Sequence, residues 1–245
     1  FDKIERIDVK TQYYSVDSKG RPVLLTEAEC LAQMEQQKNT ESNIHISKAA
    51  NSHESVNTDG KLRSTIIAVY VGKQTYNGQK NTPVYIISTG HEWLSGPIVR
   101  AKDACSVCVD GEAMPDQNGA MHVGVMQCTQ KTLSGTRYVD TSLTPVVKSG
   151  NGVLAEVYLS PFISGYGTIY SNFAILLTCK YIVTDTSSGS KLFRIWAKYV
   201  HSWLGVNVSV GWELGSKYPG VTISPAFQTT EYGFSMDVST GSDYS

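Results

Sequence analysis

The chain has 245 residues, of which 41% are hydrophobic and only 18% are charged. Its 21 basic and 22 acidic residues leave a net charge of -1, which gives no argument for nucleic acid or an anionic membrane as a partner. No apolar run approaches the roughly 18 residues of a transmembrane helix. A charged fraction below the usual ~25% indicates a surface of uncharged polar residues, which is typical of extracellular β proteins.

Residues 1–60 are predicted to form an N-terminal extension with a hairpin and a short helix. The hairpin runs from Tyr13 to Val23 and turns at 18–20. The helix begins at Thr26, with Glu29 three residues later completing a capping box. Helical spacing places four apolar residues on one side of this helix: Ala28, Leu31, Ala32 and Met34.

From residue 61 to residue 240 the sequence predicts strands separated by turn residues, with no helix between them. The predicted strands are 64–71, 83–88, 104–109, 121–128, 138–147, 153–159, 172–183, 191–201, 206–212, 221–224 and 232–238. A parallel sheet would need intervening helices, so we expect an antiparallel β-sandwich or a jelly-roll-like barrel. Residues 241–245 are expected to be a frayed tail.

Two hairpins between chain neighbours are considered within this domain. The predicted strands 172–183 and 191–201 flank a Ser-Gly-rich stretch, which favours direct pairing. If the predicted strands 104–109 and 121–128 form a simple hairpin, Cys108 and Cys128 are roughly 20 Å apart, which is beyond disulfide reach.

The five cysteines are Cys30, Cys105, Cys108, Cys128 and Cys179. Cys105-x-x-Cys108 resembles half of a zinc or redox motif, but no second pair or matching histidine spacing follows. On a strand, side chains three residues apart face opposite sides, so these two thiols could neither chelate one ion nor bridge. We therefore expect buried structural thiols, at most one disulfide, and no metal site.

Sequence signatures of catalysis are absent. Neither a phosphate-binding glycine loop nor a nucleophile elbow occurs, and His91-Glu92 lacks the second histidine of a zinc protease because Ser95 stands in its place. No cofactor is expected, and the sequence favours a protein without catalytic activity. Paired carboxylates leave no sequence fingerprint, so a carbohydrate or cell-wall hydrolase stays an alternative. The candidate carboxylates are Glu92, Asp103, Asp110, Glu112, Glu156 and Glu213.

The most distinctive stretch, His91 to Asp103, reads HEWLSGPIVRAKD. It follows an apolar run and contains a Gly-Pro corner, where Pro97 fixes its own φ and disfavours helix for the residue before it. We expect Trp93 to be buried where the strand ending near Glu92 turns, and Arg100 to pair with Asp103. His91 is interpreted as a structural residue.

Aromatic residues in two regions suggest binding. Tyr166 and Tyr170 lie among glycines in a predicted loop, and Trp203 belongs to a group of aromatics on two consecutive strands. Exposed rings stack on sugars or anchor protein partners, whereas buried rings belong to the core. Tyr166, Tyr170 and Trp203 are therefore the candidate contacts for a glycan or a surface protein.

Three segments together resemble a group of uncharacterised secreted or surface proteins of Gram-positive bacteria. They read YYSVDSKGRPVLLTEAEC, VYIISTGHEWLSGPIVRAKDACSV and AKYVHSWLGVNVSVGWE. The residues that match the group's patterns are Trp93, Leu94, Pro97, Arg100, Asp103, Tyr199 and His201. The resemblance implies export and a β-rich fold, but no activity.

The function expected from the sequence is a binding or structural role, by a protein that is secreted or at the cell surface. Because the sequence begins at Phe1 rather than methionine, we expect that a signal peptide has been removed. Two alternatives stay open: the carboxylate hydrolase, and a pore-forming toxin, because long Ser/Thr-rich alternating strands such as Tyr199 to Trp212 suit an inserting hairpin.

Overall fold

A computed structural model describes most of the chain as antiparallel β-structure with one helix. The described residues are 4–17, 21–43, 60–95, 102–110, 113–117, 122–148, 151–159, 168–184, 192–202, 209–214, 219–224 and 229–239. The predicted fold class is confirmed as an antiparallel β-sandwich with a short N-terminal helix. None of the sheets formed by these residues closes into a barrel.

Sheet A is the larger layer. Its strands are β1 (Arg6–Val16), β2 (Pro22–Leu25), β3 (Lys61–Tyr76), β4 (Gln79–Ser95), β6 (Ala113–Pro115), β7 (Val123–Thr132), β8 (Gly135–Leu143) and β11 (Thr168–Val183). Their order is β2-β1-β3-β4-β11-β7-β8, and β6 also pairs with β11. Since β1 pairs antiparallel with β3, sheet A begins within the segment assigned to the N-terminal extension.

Sheet B faces sheet A. Its strands are β5 (Lys102–Val109), β9 (Val146–Lys148), β10 (Gly152–Tyr158), β12 (Leu192–Ser202) and β15 (Thr229–Ser239), in the order β15-β12-β5-β10-β9.

The expected pairing of 172–183 with 191–201 is wrong, and the hairpin considered for 104–109 and 121–128 does not form. β11 lies in sheet A and β12 in sheet B, and the same division separates β7 from β5. Each of these strands pairs with partners that are distant in sequence, because the chain crosses between layers at these points. A turn-rich connection fits either a hairpin or such a crossing, so the local sequence does not distinguish them.

The inner faces of sheets A and B form one hydrophobic core. Side chains alternate across β4, so that Tyr85, Ile87, His91 and Trp93 all point into it. Tyr85 packs edge-to-face on Phe193 of β12 with ring centroids 5.0 Å apart. This alternation places His91 and Trp93 between the two sheets.

Sheet C is a two-stranded third layer made of β13 (Ser209–Glu213) and β14 (Gly220–Ser224). It covers part of the outer face of sheet B through a second apolar cluster. Trp212 lies so close to Gly152 that a Cβ atom there would be 2.1 Å from the indole, so only glycine fits at position 152. The stretch Tyr199 to Trp212, considered for an inserting hairpin, includes parts of β12 and β13, which belong to different sheets.

The two lateral edges of the sandwich differ. On one side, β1 covers the edge strand β15: Lys10 Nζ donates to the Ser235 carbonyl at 2.6 Å, and Tyr14 OH donates to the Gly233 carbonyl at 3.2 Å. Such coverage blocks edge-to-edge pairing. On the other side, Thr144 and Pro145 lead the chain from β8 in sheet A to β9 in sheet B.

Helix α1 (Glu27–Asn43) begins with the predicted capping box. Thr26 N donates to Glu29 Oε2 at 2.7 Å, and Glu29 N donates to Thr26 Oγ1 at 3.2 Å. The predicted apolar side is wrong, because Leu31 is 53% exposed while Cys30 is fully buried.

No helix in the described ranges has both the length and the apolar character needed to cross a membrane. The expected frayed tail, 241–245, lies outside the described residues.

Candidate functional site

Residues from two of the distinctive sequence segments meet between sheets A and B. Trp93 comes from β4, Asp103 from β5, and Tyr199 and His201 from β12. β5 and β12 are direct neighbours, with Tyr199 opposite Cys105 and Val200 opposite Ala104. All four side chains are buried, and we call them, together with His91, the inter-sheet cluster.

Asp103 is the hydrogen-bond acceptor at the centre of the inter-sheet cluster. His201 Nδ1 lies 2.9 Å from Asp103 Oδ2, and Ser202 N donates to Oδ1 at 3.0 Å. Tyr199 OH also donates to this carboxylate and accepts a hydrogen bond from Trp93 Nε1 at 3.1 Å. The fully buried carboxylate thus has three donors, which offsets the cost of removing it from water.

His91 extends the inter-sheet cluster towards β3. Its ring stacks on Tyr199 with centroids 5.1 Å apart, and its Nδ1 lies 2.9 Å from Ser64 Oγ. Burial lowers the pKa of His91 to about 3, so the ring is neutral at physiological pH. Burial, together with the Asp103 carboxylate, raises the pKa of Tyr199 and keeps its hydroxyl a donor.

The inter-sheet cluster joins the sheets and does not present chemistry to solvent. The expected burial of Trp93 is confirmed, with 1% of it exposed, although β4 continues beyond it to Ser95 and does not turn near Glu92. Asp103 binds Tyr199 and His201 of the neighbouring strand β12, while its expected partner Arg100 lies outside the described residues, as does Pro97.

The buried neutral histidine predicts a pH dependence of stability. Between about pH 3 and pH 6.5 the unfolded chain binds a proton at His91 that the folded chain does not bind. Stability therefore falls as the pH falls below about 6.5, by roughly 1.4 kcal/mol per unit from this residue. We expect the loss between pH 7 and pH 5 to be about 2 kcal/mol smaller in His91→Gln, as measured by urea denaturation at both pH values.

The matched control for this prediction is His122→Gln, at a half-buried histidine that lies outside the inter-sheet cluster. It should leave most of the wild-type pH dependence in place. An unchanged pH dependence in His91→Gln would show that His91 does not resist protonation in the folded state.

A surface cleft of about 380 Å³ lies between the end of β8 and the strands β9 and β10. Its lining residues are Met126, Thr141, Ser142, Leu143, Thr144, Val146, Lys148, Leu154, Glu156, Tyr158 and Val210. Leu154, Glu156 and Tyr158 alternate along β10 and share one face. Tyr158 is 50% exposed, so the cleft combines an accessible aromatic ring with hydroxyl and charged groups.

Tyr158 is held in place by two charged neighbours. Its hydroxyl donates to Glu156 Oε2 at 2.6 Å, and Lys102 Nζ lies 2.9 Å from the same oxygen and 5.3 Å from the centroid of the tyrosine ring. Partial burial alone would raise the pKa of Glu156. The hydrogen bonds from Tyr158 and Lys102 have a larger effect, and the pKa of Glu156 is lowered. Glu156 is therefore an anion at neutral pH, and the ring is oriented before any ligand arrives.

The sequence-predicted binding residues lie elsewhere or outside the described ranges. Tyr166 and Trp203 are among the residues that the structure does not describe. Tyr170 is half-buried against the core, and its hydroxyl accepts a hydrogen bond from Gln130 Nε2 at 2.8 Å. Tyr158 was not among the predicted binding residues, although Glu156 and Tyr158 at alternate positions of β10 are a sequence signal for an exposed face.

Most of the candidate carboxylates are engaged by donors of the protein. Glu92 pairs with Arg63, Glu156 with Lys102, and Asp110 accepts a hydrogen bond from Arg194 N at 2.8 Å. Asp103 is buried, Glu213 is exposed, and Glu112 lies outside the described residues.

All five cysteines are buried, and none of them forms a disulfide bond. Cys105 points into the core between the sheets, and Cys108 occupies the opposite face of β5. Burial raises the pKa of both thiols to about 12, so they stay protonated and unreactive at neutral pH. No cluster of metal-binding side chains occurs within the described part of the chain.

No family model and no curated protein matches the chain. Among solved structures, it is similar to one described as a pore forming protein, with 6% identity and a TM-score of 0.34 over 77% of this chain and 96% of that chain. It is also similar to the collagen-binding domain from a Staphylococcus aureus adhesin, with 8% identity and a TM-score of 0.24 over 60% and 86% of the two chains. Neither likeness carries a functional conclusion.

Proposed function

We propose that the protein is a secreted or cell-surface binding module that holds a saccharide in the cleft around Tyr158. The observation that carries this proposal is the half-exposed Tyr158 ring, fixed by Glu156 and Lys102 at the side of a cleft of about 380 Å³. Ligand sites usually have volumes of roughly 300–1,000 Å³, and this cleft is within that range. Export is the expectation from the resemblance and from the low charged fraction of the sequence.

The composition of the cleft favours a sugar. Saccharides present an apolar C–H face, which stacks on aromatic rings, and a periphery of hydroxyl groups. Three hydroxyl-bearing residues, Thr141, Ser142 and Thr144, line the cleft together with Glu156 of β10. The Lys102–Glu156 ion pair has no net charge, and Lys148 adds one positive charge to the lining, a balance that suits a neutral or singly acidic saccharide.

We expect Tyr158→Ala to weaken saccharide capture by about tenfold or more, since a lost ring contact costs roughly 0.5–1.5 kcal/mol beyond the buried area. The melting temperature should change little, because half of this side chain is in water. A glycan array would identify the ligand, and isothermal titration calorimetry would compare the variants.

Tyr138→Ala is the matched control, because Tyr138 is an exposed tyrosine of sheet A that does not line the cleft. Tyr158→Phe separates the ring from the hydroxyl, and it should keep most of the stacking. If the array shows no saccharide, or if Tyr158→Ala binds as well as wild type, the proposal is wrong. Turnover of a bound glycan would favour the hydrolase alternative.

A further inference from the structure

One end of sheet A carries a three-stranded extension. β11 pairs with β4 only as far as Ala174, opposite Glu92, but its first residues continue beside the end of β7, from Thr168 opposite Thr132 to Ser171 opposite Thr129. The same part of β7 forms a hairpin with the start of β8. We call residues 129–138 and 168–171 the projecting tip.

The hairpin turn of the projecting tip has an unusual residue. Leu133 and Ser134 connect β7 to β8, and Leu133 is 99% exposed. Two-residue hairpin turns normally use glycine, asparagine or aspartate. The β3–β4 turn at the opposite end of sheet A follows that rule, with Asn77 and Gly78 both at positive φ. A fully exposed leucine at a turn gains nothing from the fold itself.

The projecting tip also gathers other apolar groups. Tyr138 is 75% exposed and Ile169 is 57% exposed. With Leu133, they place three large apolar side chains in water at one end of the molecule.

The charges of the projecting tip have one sign. Lys131 and Arg137 are exposed, and neither segment of the tip contains an aspartate or a glutamate. The first acidic residue beyond it on β8 is Asp140, which accepts a hydrogen bond from Gln127 at 2.8 Å. The chain as a whole has a net charge of -1, so this local positive charge is not visible in the composition.

From this combination we propose that the projecting tip docks on an anionic lipid surface. Leu133 and Ile169 enter the interface between headgroups and acyl chains, while the amphipathic ring of Tyr138 lies at headgroup level. Lys131 and Arg137 contact anionic headgroups, which attract basic residues near a membrane surface. The hairpin ladder satisfies the backbone groups of the paired strands, so a shallow insertion exposes few unpaired polar groups to lipid.

A lipid surface fits this tip better than a folded protein partner. The tip combines exposed apolar side chains with two cations and contains no acidic residue, which matches an anionic headgroup layer over an apolar interior. Docking does not require the saccharide cleft, because the residues that line the cleft and those of the projecting tip do not overlap.

The test is co-sedimentation of the purified protein with phosphatidylcholine vesicles and with vesicles that also contain phosphatidylserine. We expect binding to the anionic vesicles that weakens at high salt. Leu133→Asp and Lys131→Glu should each reduce this binding by about tenfold or more, with no change in melting temperature because both side chains are exposed.

Two variants at the opposite end of sheet A serve as matched controls. Ile7→Asp changes an aliphatic residue that is 54% exposed, and Lys80→Glu makes the same charge change as Lys131→Glu. Both should bind anionic vesicles nearly as wild type does, and so should Tyr158→Ala. Equal binding to both kinds of vesicle, no binding at all, or equal losses in the tip and control variants would overturn the proposal. Leu133-dependent dye release from the vesicles would support docking and add membrane permeabilisation.

Discussion

Asparagine in place of Asp103 is expected to lower the free energy of unfolding by about 3–5 kcal/mol, the usual effect of removing one partner from a buried charged hydrogen-bond group. The side-chain volume hardly changes, so the loss reports hydrogen bonding. Tyr199 OH, His201 Nδ1 and Ser202 N all meet the carboxylate as donors. An amide offers one acceptor oxygen and places its own N–H groups against the remaining donors. Urea denaturation at neutral pH measures the difference.

Asp140→Asn is the control for this substitution. Asp140 is exposed and accepts one hydrogen bond from Gln127, so its change should stay within about 0.5 kcal/mol of wild type. A loss below about 1 kcal/mol in Asp103→Asn would mean that the buried donors find other acceptors, and that Asp103 does not organise the inter-sheet cluster.

The fold class could be predicted because its signals are local. Alternating apolar residues, turn residues between them and the absence of intervening helices all act within about ten positions of the chain. The capping box of Thr26 and Glu29 is equally local, and its hydrogen bonds are present.

Strand partners could not be predicted, because pairing depends on which layer a strand joins. β11 has the same alternation whether it pairs with β12 or, as it does, with β4 and β7. The deciding interactions are between side chains that are far apart in sequence, and one sequence does not reveal them.

The inter-sheet cluster illustrates the same limit at the level of single residues. The sequence marked Trp93, Asp103 and His201 as distinctive, but it favoured Arg100 as the partner of Asp103 because Arg100 is near in sequence. Tyr199, which donates to Asp103, is 96 positions away. The β5–β12 pairing brings the two together, and that pairing was not predicted.

The cleft depends on still more elements. Its lining comes from β7, β8, β9, β10 and β13, and it exists only where sheet A passes into sheet B. Alternation along β10 places Tyr158 on the same face as Glu156. Whether that face is covered or open follows from the position of sheet C, which no local pattern encodes.

Trp93→Ala is expected to destabilise the protein by about 3–5 kcal/mol, the usual range for a buried tryptophan. Trp93 is 1% exposed, and its indole meets Tyr199, His201 and Tyr232 edge-on, with ring centroids between 5.2 and 6.1 Å away. A Cβ atom at Gly60 would lie 2.9 Å from the indole, so the chain passes close to the ring there. Alanine would leave a cavity between the sheets and would remove the donor to Tyr199 OH.

Trp93→Phe separates these two contributions, because it keeps an aromatic ring in the core and removes the Nε1 donor. We expect it to lose roughly 1–3 kcal/mol, since Tyr199 OH still donates to Asp103 but the indole donor and part of the volume are gone. Tyr138→Phe is the exposed aromatic control and should stay within about 0.5 kcal/mol of wild type. Equal losses of stability in Trp93→Phe and Trp93→Ala would assign the whole effect to the hydrogen bond. A negligible loss of stability in both variants would contradict a packing role for the distinctive HEWL segment.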